Sequence, residues 1–121
     1  MILLSSKTPF QPIIKWSGSK RSQSQRIVSY FPGFDKYYEP FVGGGSILYA
    51  ADPIAAVCSD ICKPLIDLWK LIQSEPLKLL DIYRHDWLRL QTEGFLAYYE
   101  IRERFNLSQQ PADLFFCCEL V

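Results

Sequence analysis

The rhythm of apolar positions changes midway along this chain. Before residue 60, apolar residues come in short runs separated by glycine, proline and serine; beyond it they recur every three or four positions. Ile13-Ile14-Lys15-Trp16 predicts a short strand, halted by Ser17-Gly18-Ser19. Lys20 to Tyr30 is polar, with Ile27, Val28 and Phe31 at helical intervals, and Pro32-Gly33 stops it. Tyr37-Tyr38-Glu39-Pro40-Phe41-Val42 is aromatic-rich, predicts a strand, and runs straight into Gly43-Gly44-Gly45. Ser46 to Ala51 suits a short helix with Ser46 near its N-cap. Ile54-Ala55-Ala56-Val57-Cys58 is a small-residue apolar run, the pattern of a strand buried on both faces.

The second half predicts helices only. Pro64 to Gln73 places Leu65, Leu68, Trp69 and Ile72 on one face. Pro76 suits the first residue of a second helix, apolar at Leu77, Leu80, Ile82 and Tyr83 and reaching about Leu90. Phe95 to Phe105 forms a third, and a fourth begins around Pro111 with Leu114, Phe115 and Phe116. The order describes an α/β beginning joined to a helical continuation.

Composition narrows the class. The 121 residues suffice for one ordinary domain, and 49% hydrophobic content excludes a disordered chain. Thirteen basic residues balance thirteen acidic ones, so the chain lacks the basic excess of a stand-alone nucleic-acid binder. Any DNA contact must come from a local patch or from protein outside this chain. No apolar run approaches the roughly 20 residues that span a bilayer, and the start is too short for a signal-peptide core. Cys58, Cys62, Cys117 and Cys118 have no disulfide-framework spacing, so a reducing cytoplasm is the expected location. C-x-x-x-C plus a vicinal pair is no structural zinc spacing either, and no metal is expected.

The stretch Glu39-Pro40-Phe41-Val42-Gly43-Gly44-Gly45-Ser46 carries the candidate chemistry. A strand entering glycines and then a helix brings backbone close to a ligand; the same pattern also serves as a plain tight turn. No Gly-Lys-Ser/Thr follows, which excludes a P-loop. A dinucleotide fingerprint needs a third spaced glycine where Leu48 stands. The glycines instead fit F-x-G-x-G, from Phe41, Gly43 and Gly45. Asp60 closes the next apolar run, where a carboxylate could accept both hydroxyls of a ribose or could cap the helix beginning near Pro64.

Upstream lies Lys15-Trp16-Ser17-Gly18-Ser19-Lys20. This K-W-x-G-x-K opening, the E-P-F-x-G-x-G segment at Glu39–Ser46, and Ser59-Asp60-Ile61-Cys62-Lys63-Pro64-Leu65-Ile66 together resemble Dam-type, adenine-specific DNA methyltransferases. The third segment follows the family's D-I-N-x-x-L-I, departing at Cys62 where asparagine is usual. The resemblance implies a Rossmann-like α/β fold that binds S-adenosylmethionine. Residues 1–62 would be the N-terminal part of the cofactor domain, and residues 63–121 the start of a helical DNA-recognition insertion. Trp16 would pack on the cofactor and Lys20 would face its methionine end. Pro40, Phe41, Gly43, Gly44, Gly45 and Ser46 would wrap it with Glu39 nearby, and Asp60, beside Ile61, would take the ribose hydroxyls.

The same resemblance implies what is missing. The family transfers a methyl group to the exocyclic amine of adenine in double-stranded DNA, using a D-P-P-Y motif on a flipped base. No such motif occurs in this sequence, since Asp52-Pro53 is followed by Ile54. The chain is therefore expected to be truncated inside the insertion, to carry no catalytic residue, and to be inactive alone. It would serve as one half of a split enzyme with a separate C-terminal half, or as a non-catalytic cofactor- or protein-binding remnant. Truncation also predicts that Leu114 to Cys118 present an uncovered apolar face and that the isolated chain is partly molten. His85 is expected on the surface, and Arg84, Arg89, Arg102 and Arg104 on a solvated helix face interleaved with acids.

Overall fold

The computed structural model describes residues 12–120, which fall into two compact units divided after Ser59. In the first unit, a 3-10 turn at Arg21–Gln23 leads into α1 (Ser24–Val28). Strand β1 (Tyr37–Glu39), helix α2 (Ser46–Ala51) and strand β2 (Ala56–Cys58) follow. The strands pair in parallel, with Tyr37 opposite Ala56, Tyr38 opposite Val57 and Glu39 opposite Cys58. The ladder continues into the loop, where Ser59 donates its N–H to the Glu39 carbonyl and Val42 donates to the Ser59 carbonyl. The core here is small. Ile14, Tyr37 and Val42 are buried, and Phe31 and Phe34 pack against the Tyr37 ring with centroids 6.1 and 5.9 Å away.

Two expectations fail in this unit. Residues 13–16 do not form a strand, because neither β1 nor β2 pairs with them. Ile14 is fully buried all the same, anchoring the segment by its side chain rather than by a ladder. Strand β2 is not covered on both faces: Ala56 and Val57 are exposed, and Ile54 ahead of them is fully so. A two-stranded parallel sheet has no second layer to supply that cover. Helix α2 also starts with Ser46 as its first residue, Gly45 being the N-cap.

The second unit consists of α3 (Lys63–Ser74), α4 (Pro76–Glu93), α5 (Phe95–Ser108) and α6 (Pro111–Glu119). Proline opens α4 and α6 at positions whose N–H would have no helical partner. Glu75 alone separates α3 from α4, and Gly94 alone separates α4 from α5. Helix α6 packs on each of the other three. Their shared core is Leu65, Leu68, Leu79, Ala97, Ile101, Leu114 and Phe116. This reverses the expectation of an uncovered C-terminal face. Phe116 is fully buried and its ring meets Tyr83 at 5.7 Å, because α3, α4 and α5 already enclose that side of α6.

A charged clip ties three of these helices together. Arg104 on α5 donates through Nε and Nη2 to both oxygens of Asp113 on α6, and Nη2 also donates to Asp86 on α4 at 3.1 Å. Asp86 is 1% exposed and Asp113 4%. Arg104 is thus a structural cation, not part of the solvated arginine face expected of it. Among the described residues no helix is long and apolar enough to cross a membrane.

Candidate functional site

The first unit brings the two N-terminal motifs together. A side-chain carbon placed on Gly43 would stand 3.1 Å from Trp16 Cδ1, and one on Gly44 would stand 3.1 Å from the Ile14 carbonyl and 3.3 Å from Trp16 Cβ. Gly43 also has φ +50°, a left-handed backbone that favours glycine. The indole therefore lies against the glycine bend, and a larger residue at Gly43 or Gly44 would have to push it back by a few tenths of an ångström. A second link joins the same motifs, since the Ser19 and Ser46 hydroxyls are hydrogen-bonded at 2.7 Å. Gly45 donates its N–H to the Val42 carbonyl at 2.8 Å, closing the bend before α2 begins.

Glu39 sits at the end of β1, half-buried beside this bend. Burial pushes its carboxyl up from the ordinary range, while hydrogen bonds from the Tyr37 hydroxyl and the Leu48 backbone pull it down. Tyr37 donates to Glu39 Oε2 at 3.0 Å, and burial with the adjoining carboxylate pushes the phenol up in turn. Cys58, opposite Glu39 in the ladder, is raised by burial and by the same carboxylate. The bend is thus flanked by an indole and a half-buried acid, with Gly43 itself partly exposed. Lys20, from the same motif as Trp16, is exposed and donates its ammonium to the Gly18 carbonyl at 2.8 Å.

The remaining expected residues are placed as follows. Pro40 and Phe41 are exposed on the turn after β1, Phe41 at 80%. Gly44, Gly45 and Ser46 are buried behind it. Asp60 and Ile61 open the second unit, Ile61 being almost fully exposed. Asp60 Oδ1 accepts the N–H of Cys62 at 3.0 Å, a local turn in which Cys62, not Asp60, is the N-cap residue of α3. Ser19 and Tyr37 escaped the sequence reading. Ser19 occupies an unspecified place in K-W-x-G-x-K, and nothing local marks Tyr37 as the partner of an acid two residues on. His85 is exposed, and no group of acids, histidines and cysteines among the described residues is placed to hold a metal ion.

Comparison with known proteins addresses the family. A DNA adenine methylase of Escherichia coli is 31% identical over 98 residues, covering 81% of this chain and 35% of that protein. A type II methyltransferase of Lactococcus lactis subsp. cremoris is 28% identical over 99 residues, covering 81% of this chain and 34% of its own length. A DNA adenine methylase of Vibrio cholerae is 32% identical over 98 residues, covering 78% and 34%. The chain spans about a third of the length of these relatives. The family description "D12 class N6 adenine-specific DNA methyltransferase" matches residues 16–118, a span that opens on the indole packed against the glycine bend and closes in α6. On that match the chain belongs to the D12 class of N6 adenine-specific DNA methyltransferases.

Proposed function

We infer that this chain supplies the cofactor-binding start of an adenine-specific DNA methyltransferase. Residues 1–62 form the first part of a Rossmann-like, S-adenosylmethionine-binding α/β domain, and residues 63–121 begin a helical DNA-recognition insertion. One observation carries the reading: Trp16 lies on the Gly43–Gly44 backbone at contact distance, so two motifs 27 residues apart in sequence become one surface.

The residues present suit the cofactor. Glycine at positions 43 and 44 keeps the main chain close to Trp16, and Gly43 is partly exposed for a ligand to approach. Trp16 offers an aromatic wall, and Phe41, Gly45 and Ser46 continue the loop. Lys20 and Glu39 provide opposite charges for the carboxylate and amine of a methionine moiety, with Pro40 fixing the turn between strand and glycines. Asp60, followed by Ile61, would accept the ribose hydroxyls. Bound there, the cofactor supplies an electrophilic methyl group on a sulfonium. The protein's part is orientation: the loop holds the methyl donor so that the adenine amine approaches in line.

Transfer to adenine in double-stranded DNA belongs to the complete enzyme. The residues given hold no D-P-P-Y run to grip the flipped base, and we propose that they have no turnover by themselves. A second reading pairs them with a separate C-terminal half in a split methyltransferase. Calorimetric titration of the chain with S-adenosylhomocysteine and with NAD tests the cofactor reading. Binding of the first and not the second is expected, and NAD binding or no binding of either overturns it. Adding in trans the part of the Escherichia coli relative that lies beyond the matched span and assaying methyl transfer to duplex DNA tests the split arrangement, which a null result with both pieces folded would sink.

A further inference from the structure

The outer face of α4 carries a feature that the cofactor loop does not use. Leu80, Tyr83, Arg84 and Trp87, spaced as neighbours along one helix face, line an open dish of about 260 Å³. Its walls are aromatic: the Tyr83 and Trp87 rings are a stacked pair, 13° from parallel with centroids 6.4 Å apart. Tyr83 is held in that plane from behind by Phe115 at 5.3 Å and Phe116 at 5.7 Å. Trp87 is 41% exposed and Leu80 47%, so both present apolar area to solvent.

Charge is distributed unevenly around the dish. Arg84 is exposed and makes no ion pair among the described residues, unlike Arg89 on the same helix, which is held by Glu93 and Glu100. Burial, and then the Glu119 carboxylate, push the Tyr83 phenol up. An anion is therefore favoured beside Arg84.

We propose that this dish is a stacking site for one unpaired nucleobase, with Arg84 holding the phosphate of the same nucleotide. Two near-parallel aromatic rings favour a planar ring beside them, and a guanidinium with no ion pair among the described residues favours a single phosphate. A base inside a duplex has both faces covered by its neighbours, so the occupant is a base outside the helical stack. The inference rests on DNA being the substrate class, as proposed above. It adds a contact that is separate from the cofactor loop and from the target adenine's own pocket.

Fluorescence anisotropy of the full 121-residue chain with a labelled single-stranded DNA of about eight nucleotides tests it, alongside the same strand carrying abasic sites. The base-containing strand should bind roughly tenfold or more tightly than the abasic one. Trp87→Leu should abolish that preference, and Arg84→Gln should weaken both strands alike and reduce their salt dependence. Both residues are exposed, and circular dichroism of each variant checks that the helices persist. Equal binding of the two strands, or an undiminished base preference in Trp87→Leu, overturns the proposal. So does a chain that self-associates through this face, seen by sedimentation and lost in Trp87→Leu, with no base preference. Titrating the same samples with S-adenosylhomocysteine keeps the two readings apart: cofactor binding without base preference sinks the stacking site alone, and base preference without cofactor binding sinks the cofactor loop alone.

Discussion

The two units hold their backbones by different means. From Asp60 onward, each helix satisfies its own hydrogen bonds, and burial of Leu65, Leu68, Ile101 and Phe116 adds the tertiary packing. Charge reinforces it, since Arg104 neutralises two carboxylates that are almost wholly out of water. Before Asp60, strands of three residues pair only with each other among the described residues, and Ala56 and Val57 of β2 are exposed. There the order comes from close approach: an indole on glycine backbone, a pair of serine hydroxyls, a tyrosine on a half-buried acid. A helical unit can afford a rich surface because its interior is already complete. The glycine bend buries Gly44 and Gly45 and leaves Gly43 partly exposed beside the exposed Phe41, where a ligand can reach it.

The largest effect that separates the units should come from Arg104→Leu. Loss of the guanidinium leaves Asp86 and Asp113 buried without a cation. We expect roughly 2–4 kcal/mol of destabilisation, somewhat below a fully buried pair because water reaches the arginine. Amide hydrogen exchange should show α4, α5 and α6 losing protection while residues 37–51 keep theirs. Unchanged exchange in the three helices would break the contrast.

Gly43→Ala probes the other side. The left-handed backbone and the contact with Trp16 together should cost about 1–2 kcal/mol, with about tenfold weaker binding of S-adenosylhomocysteine. Helices α3–α6 should melt as in the parent. A variant with full cofactor affinity would mean that the bend has slack. Ser46→Ala should do less: losing one partly buried hydroxyl pair costs about 1 kcal/mol or under, visible as a few-fold change in the same titration. No change would demote the Ser19–Ser46 link to a passive contact.

The smallest effect is a dependence on pH. Burial lifts the Glu39 carboxyl, so the folded unit binds that proton more tightly than the unfolded chain does. Stabilisation from the proton is complete below the ordinary carboxylate range, about pH 4, and is lost as pH rises through the lifted value. Glu39→Gln keeps the neutral form throughout. Its first unit should therefore be more stable than the parent's at pH 7, with a flatter pH profile in thermal melts. A variant less stable at pH 7 would show that the charged form is the one the fold favours.

The helices were legible because a period near 3.6 and prolines in first turns are local signals, and all four begin within a residue or so of where the pattern puts them. The association of Trp16 with the glycine bend was legible only as motif order, since nothing in either stretch alone brings them into contact. The sequence misled about Ile13–Trp16 and Ile54–Cys58 for one reason. Apolar composition states what a segment would bury, not whether a neighbouring strand or layer is there to bury it. The Arg104 clip was illegible for another reason. Its partners lie 18 and 9 residues away on different helices, and interleaved charges of both signs look the same on a wet surface as in a buried pair.

Single-residue joints at Glu75 and Gly94 set how the helical unit can change. With no slack between α3, α4 and α5, one inserted residue would swing the following helix by about 100° around its axis and carry Asp86 or Arg104 away from the clip. Diversification in this part of the molecule is therefore confined to substitution on a fixed framework. Outward positions of α4 and α5 away from Leu80, Tyr83, Arg84 and Trp87 tolerate rewriting, while additions in length fit more readily at Gln109-Gln110, ahead of α6.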